Sequence, residues 1–209
     1  MECSNPLGIE NRIVGDAQRD GQPVRIVSGA RTFASDAKEI WDAVTNADRL
    51  GRWFAPISGD LKLGGRYQVE GNAGGEITQC RRFEFIEATW EFGKNLSWLT
   101  LRLEPDGNGT RVILEHAMAK NESSESHWDQ YGPGATGVGW DLGFFGLGLH
   151  LEDEAFDRKE AAAWAESEPG KDFIRNCAKA WGASHISSGA APDLANAMAE
   201  STAKAYTGE

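Results

Sequence analysis

The chain has 209 residues, room for one domain with an appendage rather than two equal domains. Apolar residues make up 40% and charged ones 25%, with eight Trp and nine Phe, which excludes disorder by composition. The 21 basic and 32 acidic residues leave a net charge of −11, which repels nucleic-acid phosphates and anionic membrane surfaces and removes both from the expected partners.

Residues 1 to 22 are polar, mixed in charge and without sustained periodicity, and are expected to form a mobile arm. The opening Met1-Glu-Cys-Ser-Asn-Pro has no basic segment followed by an apolar one, so no secretory signal is expected. Cys3, Cys80 and Cys177 are odd in number and too widely spaced for a metal-ligand pair, which fits a reducing, cytoplasmic compartment.

Pro23 to Phe33 reads as a strand rich in β-branched residues. Ser35 is then placed to cap a helix in which Ala37, Ile40, Trp41, Val44 and Ala47 share a face, followed by a short helical turn from Asp48 to Phe54 that Pro56 ends. From Gly59 the period changes to two, with Gly64-Gly65 as a bend and Tyr67 and Val69 alternating with polar residues. Strands follow at about Gly75–Ile86, Ala88–Phe92, Ser97–Glu104 and Thr110–Met118. Their connections are short, which makes the sheet antiparallel, and Asp106-Gly107-Asn108-Gly109 is the clearest hairpin.

After a polar loop from Lys120 to Trp128, the Gly-rich segment Gly132–Leu151 is too interrupted by glycine and Asp141 for a membrane span. It is expected to be helical from about Gly137, with Trp140, Phe144, Leu147 and Leu151 on one stripe and Leu142, Phe145 and Leu149 on another. Gly139, Gly143 and Gly146 run between the stripes as a side-chain-free groove. Interior glycines cost about 1 kcal/mol each in a helix, so such a helix needs tertiary support, which a sheet wrapped round it supplies. Three Ala-rich helical patterns follow, at Asp157–Glu166, Lys171–Ser184 and Asp193–Tyr206.

This order defines an α+β helix-grip fold: an arm over 1–22, a curved antiparallel sheet around a long helix over 23–152, and a helical C-terminal extension over 153–209 packed on it. Several segments sharpen it: Ile40-Trp-Asp-Ala in the first helix, Arg52-Trp53-Phe54, Gly64-Gly65-Arg66-Tyr67, Thr89-Trp90-Glu91-Phe92, and His127-Trp128-Asp129-Gln130-Tyr131 with Gly139-Trp140-Asp141. In these the chain resembles, over roughly residues 25 to 150, the START-like (SRPBCC) superfamily, in the branch named after the heat-shock-protein-ninety ATPase activator. The resemblance implies a bacterial binder of a hydrophobic ligand. It brings no catalytic motif to carry over, and the separate first domain of the eukaryotic activators is not evident here.

Trp41, Trp53, Phe54, Tyr67, Phe83, Trp90, Trp98, Trp140 and Phe144 are candidates to line a pocket between sheet and long helix, each with ordinary core packing as its plain alternative. His116 shares a strand face with Val112 and Leu114, so it points inward as a hydrogen-bonded core residue, or as a group that orients a ligand or moves a proton. Asp141 needs a partner if buried, an Arg above all. Arg66, Arg81 and Arg102 are candidates to pair with acids or with a ligand carboxylate. His127, Asp129 and His150 do not assemble into a metal site by spacing, and no phosphate loop, nucleophile elbow or dinucleotide fingerprint occurs, so neither metal nor cofactor is expected. With the resemblance, three functions are expected in order: binding of a small hydrophobic or aromatic molecule; docking to a chaperone ATPase, which the family's name implies, or self-association; and an enzyme of the polyketide cyclase or aromatase kind, which the superfamily resemblance implies.

Overall fold

The computed structural model describes residues 8–209. Its first element is strand β1 (Asn11–Arg19), paired antiparallel with β2 (Gln22–Phe33) across an Asp20-Gly21 turn in which both residues have positive φ. The arm expected over 1–22 is therefore a strand over 11–19, and residues 1–7 lie outside the described residues. Asp-Gly supplies the left-handed geometry that a two-residue hairpin needs. The strand is polar because much of it faces solvent at the sheet edge.

Helix α1 (Ala37–Thr45) starts at Asp36, not at Ser35: the Asp36 carboxylate accepts from the backbone N–H groups of Lys38 and Glu39. Asn46 ends α1 and caps α2 (Ala47–Trp53), accepting from Asp48 N–H. The short edge strand β3 (Ile57–Gly59) pairs with β4 (Arg66–Val69), and β5 (Gly74–Arg81), β6 (Phe85–Phe92), β7 (Asn95–Asp106) and β8 (Gly109–Ala119) complete the meander. The single strand expected over Gly75–Ile86 is broken by a turn at 82–84, where Phe83 has φ +69°.

All neighbours are antiparallel, in the order β1-β2-β8-β7-β6-β5-β4-β3, so the last strand returns beside the second and one face of a curved sheet must be covered. The expected loop over 120–128 is mostly helix α3 (Glu122–Tyr131). Its start is a capping box in which Asn121 and Ser124 satisfy each other's backbone N–H, a signal that polar composition disguised.

The long helix α4 (Gly134–Glu152) begins one turn earlier than expected and is apolar around its circumference because both sides are covered. Phe144 stacks on Phe33 of the sheet, while Phe145 stacks at 4.2 Å on Trp164 of α5 (Arg158–Ala165) and contacts Phe173 of α6 (Glu168–Ser187). A Cβ on Gly137 would lie 2.2 Å from the Trp181 ring of α6, so that glycine permits the crossing of α4 and α6. The last helix, α7 (Pro192–Thr207), packs on α6 and α3.

Asp141 is fully buried at the centre of this arrangement. It accepts from Ile9 N–H at 2.8 Å, the Arg12 guanidinium at 2.6 Å and the Trp181 indole N–H at 2.8 Å, tying β1 and α6 to α4. Burial raises its carboxyl above the ordinary range, opposed by Arg12 and the two N–H donors. The expected arginine partner is Arg12. No described helix is long and apolar enough to cross a membrane.

Candidate ligand cavity

Between the sheet, α1, α2 and α4 lies a cavity of about 500 Å³. Trp41, Trp53, Phe54, Tyr67, Trp90, Trp140 and Phe144 line it, together with aliphatic residues such as Ile77, Leu99 and Leu101. Each element delivers its share by its own period: Val112 and Leu114, two apart on β8, and Trp140, Gly143, Phe144 and Leu147 on one face of α4. The helix meets α2 closely at Gly146, where an added Cβ would stand 2.8 Å from the Trp53 carbonyl oxygen.

The polar tips of three of these aromatics, Tyr67, Trp53 and Trp140, are engaged by protein acceptors. The Tyr67 hydroxyl donates to the Thr89 carbonyl at 2.6 Å, and burial raises its pKa far above the usual value for a phenol. The Trp53 indole N–H donates to the Ala43 carbonyl at 2.9 Å. Phe54 and Trp140 lie nearly parallel, with ring centroids 6.2 Å apart, and Trp90 meets Trp140 edge-on at 5.7 Å.

Three candidates stand elsewhere. Trp98 points to the opposite face of the sheet, where it packs with Val24 and Ala117 beneath the Arg19 guanidinium. A one-residue alternation decides this: Leu99 faces in, so Trp98 faces out. Phe83 occupies the β5–β6 turn and meets Trp41 edge-on at the rim, 6.0 Å away, without entering the lining. His116 does point inward but lies behind Trp140: its Nδ1 accepts from the Trp140 indole N–H at 3.3 Å and its Nε2 pairs with Ser97 Oγ at 2.8 Å. Burial lowers its pKa from 6.5 to about 4, so the ring is neutral at physiological pH.

The charged lining residues, Lys62 and Arg82, and the small Gly143 were not among the candidates. Lys62 sits in the exposed turn between β3 and β4, and Arg82 sits in the turn broken out of the expected strand; neither carries a periodic signal. Of the arginines that were considered, Arg66 pairs with Glu91 on the surface, Arg81 lies near Glu84 at 3.9 Å, and Arg102 covers Phe85. His127 meets Tyr131 at a tilt, ring centroids 5.0 Å apart, and His150 accepts from Arg49 Nε at 3.0 Å. Among the described residues no three His, Cys, Asp or Glu side chains gather as metal ligands.

The family model for "Activator of Hsp90 ATPase homolog 1-like protein" matches residues 34–144, more than half of the chain. No curated protein sequence matches it. Among solved structures, the crystal structure of CalU16 from Micromonospora echinospora is 25% identical, with a TM-score of 0.67 over 83% of this chain and 96% of that one. The solution structure of CalU16 gives 25%, 0.66, 90% and 100%. MLL2253 from Mesorhizobium loti, 18% identical with a TM-score of 0.54, covers 63% of this chain and 98% of its own. Residues 1–152 are too few to supply 83% of the chain, so the CalU16 likeness reaches into the C-terminal helices. By its fold and its matched residues, this chain belongs to the family of Activator of Hsp90 ATPase homolog 1-like proteins, built on the START-like helix grip.

Proposed function

We propose that the chain is an intracellular binding protein for a small apolar or aromatic molecule held between sheet and α4. The observation that carries this reading is a cavity of about 500 Å³ lined mainly by aromatic and aliphatic side chains, with the polar tips of Tyr67, Trp53 and Trp140 turned to the protein. Its size and lining are those of ligand sites. Burial of apolar surface at about 25 cal/mol per Å² then supplies affinity without directional contacts.

Gly143 supports it independently. An added Cβ there would meet nothing nearer than the Trp140 ring at 3.8 Å. Packing does not demand a glycine in this helix interior, yet glycine costs about 1 kcal/mol relative to alanine. Absence of a side chain keeps the cavity open.

Native mass spectrometry of the protein purified from its own host, before and after denaturation, tests the proposal. A reproducible small adduct lost on denaturing is expected; a protein that carries none and binds no apolar probe overturns it. His116, with both ring nitrogens engaged, holds Trp140 in place rather than serving as an acid or base.

A second reading, docking to a chaperone or self-association, has one feature in its favour: Phe92 and Leu96, 57% and 37% exposed, project at the β6–β7 hairpin. A pull-down against the host's heat-shock protein, with Phe92→Ser as control, decides it.

A further inference from the structure

We infer that the cavity takes an amphiphilic anion, its apolar or aromatic body inside and a single carboxylate or sulfonate at the solvent-exposed part of the lining, which carries Arg82 and Lys62. This rests on the ligand-binding reading above and assigns the ligand's chemical class. In a chain with eleven more acids than bases, every charged side chain of the lining is a cation, and none is a carboxylate.

The two cations are available. Arg82 makes no ion pair among the described residues; its guanidinium carbon lies 4.6 Å from the centroid of the Phe83 ring, a cation–π contact that uses none of its N–H donors. Lys62 pairs with Asp60 at 2.6 Å, but the two side chains are 72% and 56% exposed, so a ligand anion displaces that contact at little cost. The neighbouring carboxylate, Glu84, faces Arg81.

The interior explains why the charge belongs at the rim. The hydroxyl of Tyr67 and the indole N–H groups of Trp53 and Trp140 are already donated to the protein, and the lining has no cation besides the exposed Lys62 and Arg82 to balance a buried anion. An unpaired ionised group is expelled from such a site, and the rim is where it finds donors.

Fluorescence titration of the full chain with 1-anilinonaphthalene-8-sulfonate and with its uncharged counterpart N-phenyl-1-naphthylamine tests the inference. The probes share an aromatic body and differ by the sulfonate. The sulfonate probe is expected to bind more tightly. Arg82→Gln and Lys62→Gln should each weaken it about three- to tenfold and leave the neutral probe unchanged, as expected of a partly solvated charge-assisted contact. Gly143→Leu should weaken both. Equal effects of the rim variants on both probes, or none on the sulfonate probe, overturn the anion subsite while the apolar cavity stands. If neither probe binds, or if Gly143→Leu changes neither, the cavity reading falls and the subsite with it. Both rim residues are exposed, so the substitutions do not endanger folding.

Discussion

The indole N–H of Trp140 donates to Nδ1 of His116 at 3.3 Å, and this contact sets the tautomer of a buried histidine. With Nδ1 the acceptor, Nε2 carries the hydrogen and donates to Ser97 Oγ at 2.8 Å, and the Ser97 hydroxyl donates in turn to the Trp90 carbonyl at 3.0 Å. The chain of donors runs from α4 through β8 and β7 to β6. It fixes Trp140 against Trp90 on the cavity wall.

That relay makes stability depend on acid. The folded-state pKa of His116, about 4, lies below its ordinary value of 6.5, so the unfolded chain binds more protons between those values. Stability from this residue is complete above pH 6.5 and is lost as pH falls toward 4, by about 2 kcal/mol at pH 5. Burial shifts His150 and His185 in the same direction, which adds to the loss. Urea denaturation at pH 7.5 and 5 should show His116→Gln less stable than the parent at pH 7.5 but with a shallower decline. An unchanged decline would mean that the imidazole is not held neutral.

The sheet and the long helix were legible because their signals are local. Alternation locates β7 and β8, Asp106-Gly107 marks their turn, and the two apolar stripes of α4 anticipate a helix covered on both sides. Strand β1 was missed although Asp20-Gly21 is a strong hairpin signal, because polar residues at a sheet edge look like an arm. Trp98 shows the limit for the site. Composition says that tryptophan is buried, and it is 6% exposed, but which face of the sheet buries it depends on register with β6 and β8. Lys62 and Arg82 come from turns, where no period indicates direction.

Gly143 and Gly146, three residues apart on α4, should respond oppositely to a side chain. Gly143→Ala makes only an ordinary contact with the Trp140 ring at 3.8 Å and should stabilise the fold by about 1 kcal/mol through helix propensity. Gly146→Ala drives a methyl to 2.8 Å from the Trp53 carbonyl and should destabilise it by about 1–3 kcal/mol through overpacking. Thermal melts of the two variants settle the contrast. If both destabilise, Gly143 is required by packing and is not evidence for an open cavity.

The C-terminal helices should unfold with the sheet. Phe145 stacks on Trp164 at 4.2 Å, and Trp181 is fully buried against α4, so apolar faces of both parts would be exposed by separation. Urea unfolding followed by tryptophan fluorescence and by far-ultraviolet circular dichroism should give coincident single transitions. Trp164→Ala should lower the midpoint of both by the same amount. Two separated transitions would make residues 153–209 an independent unit.

Asp141 and Arg12 provide the sharpest test of how the N-terminal strand is held. The pair is buried, with side-chain exposures of 0% and 14%, and Trp181 and Ile9 complete the carboxylate's partners. Removing one member leaves the other charge buried without its counter-ion, which costs about 3–5 kcal/mol; removing both leaves no uncompensated charge. Arg12→Met and Asp141→Asn should therefore each destabilise strongly. The double variant should lose at least 2 kcal/mol less than the sum of the two, because it leaves no charge buried without its counter-ion and the methionine fills the arginine stem's place; the single Oδ1 of asparagine accepts from only one of the Ile9 and Trp181 N–H groups, a loss the Asp141→Asn single variant carries equally. Simple additivity in the double-mutant cycle would show that the ion pair is not coupled, and that hydrogen bonds from Ile9 and Trp181 alone account for the burial of Asp141.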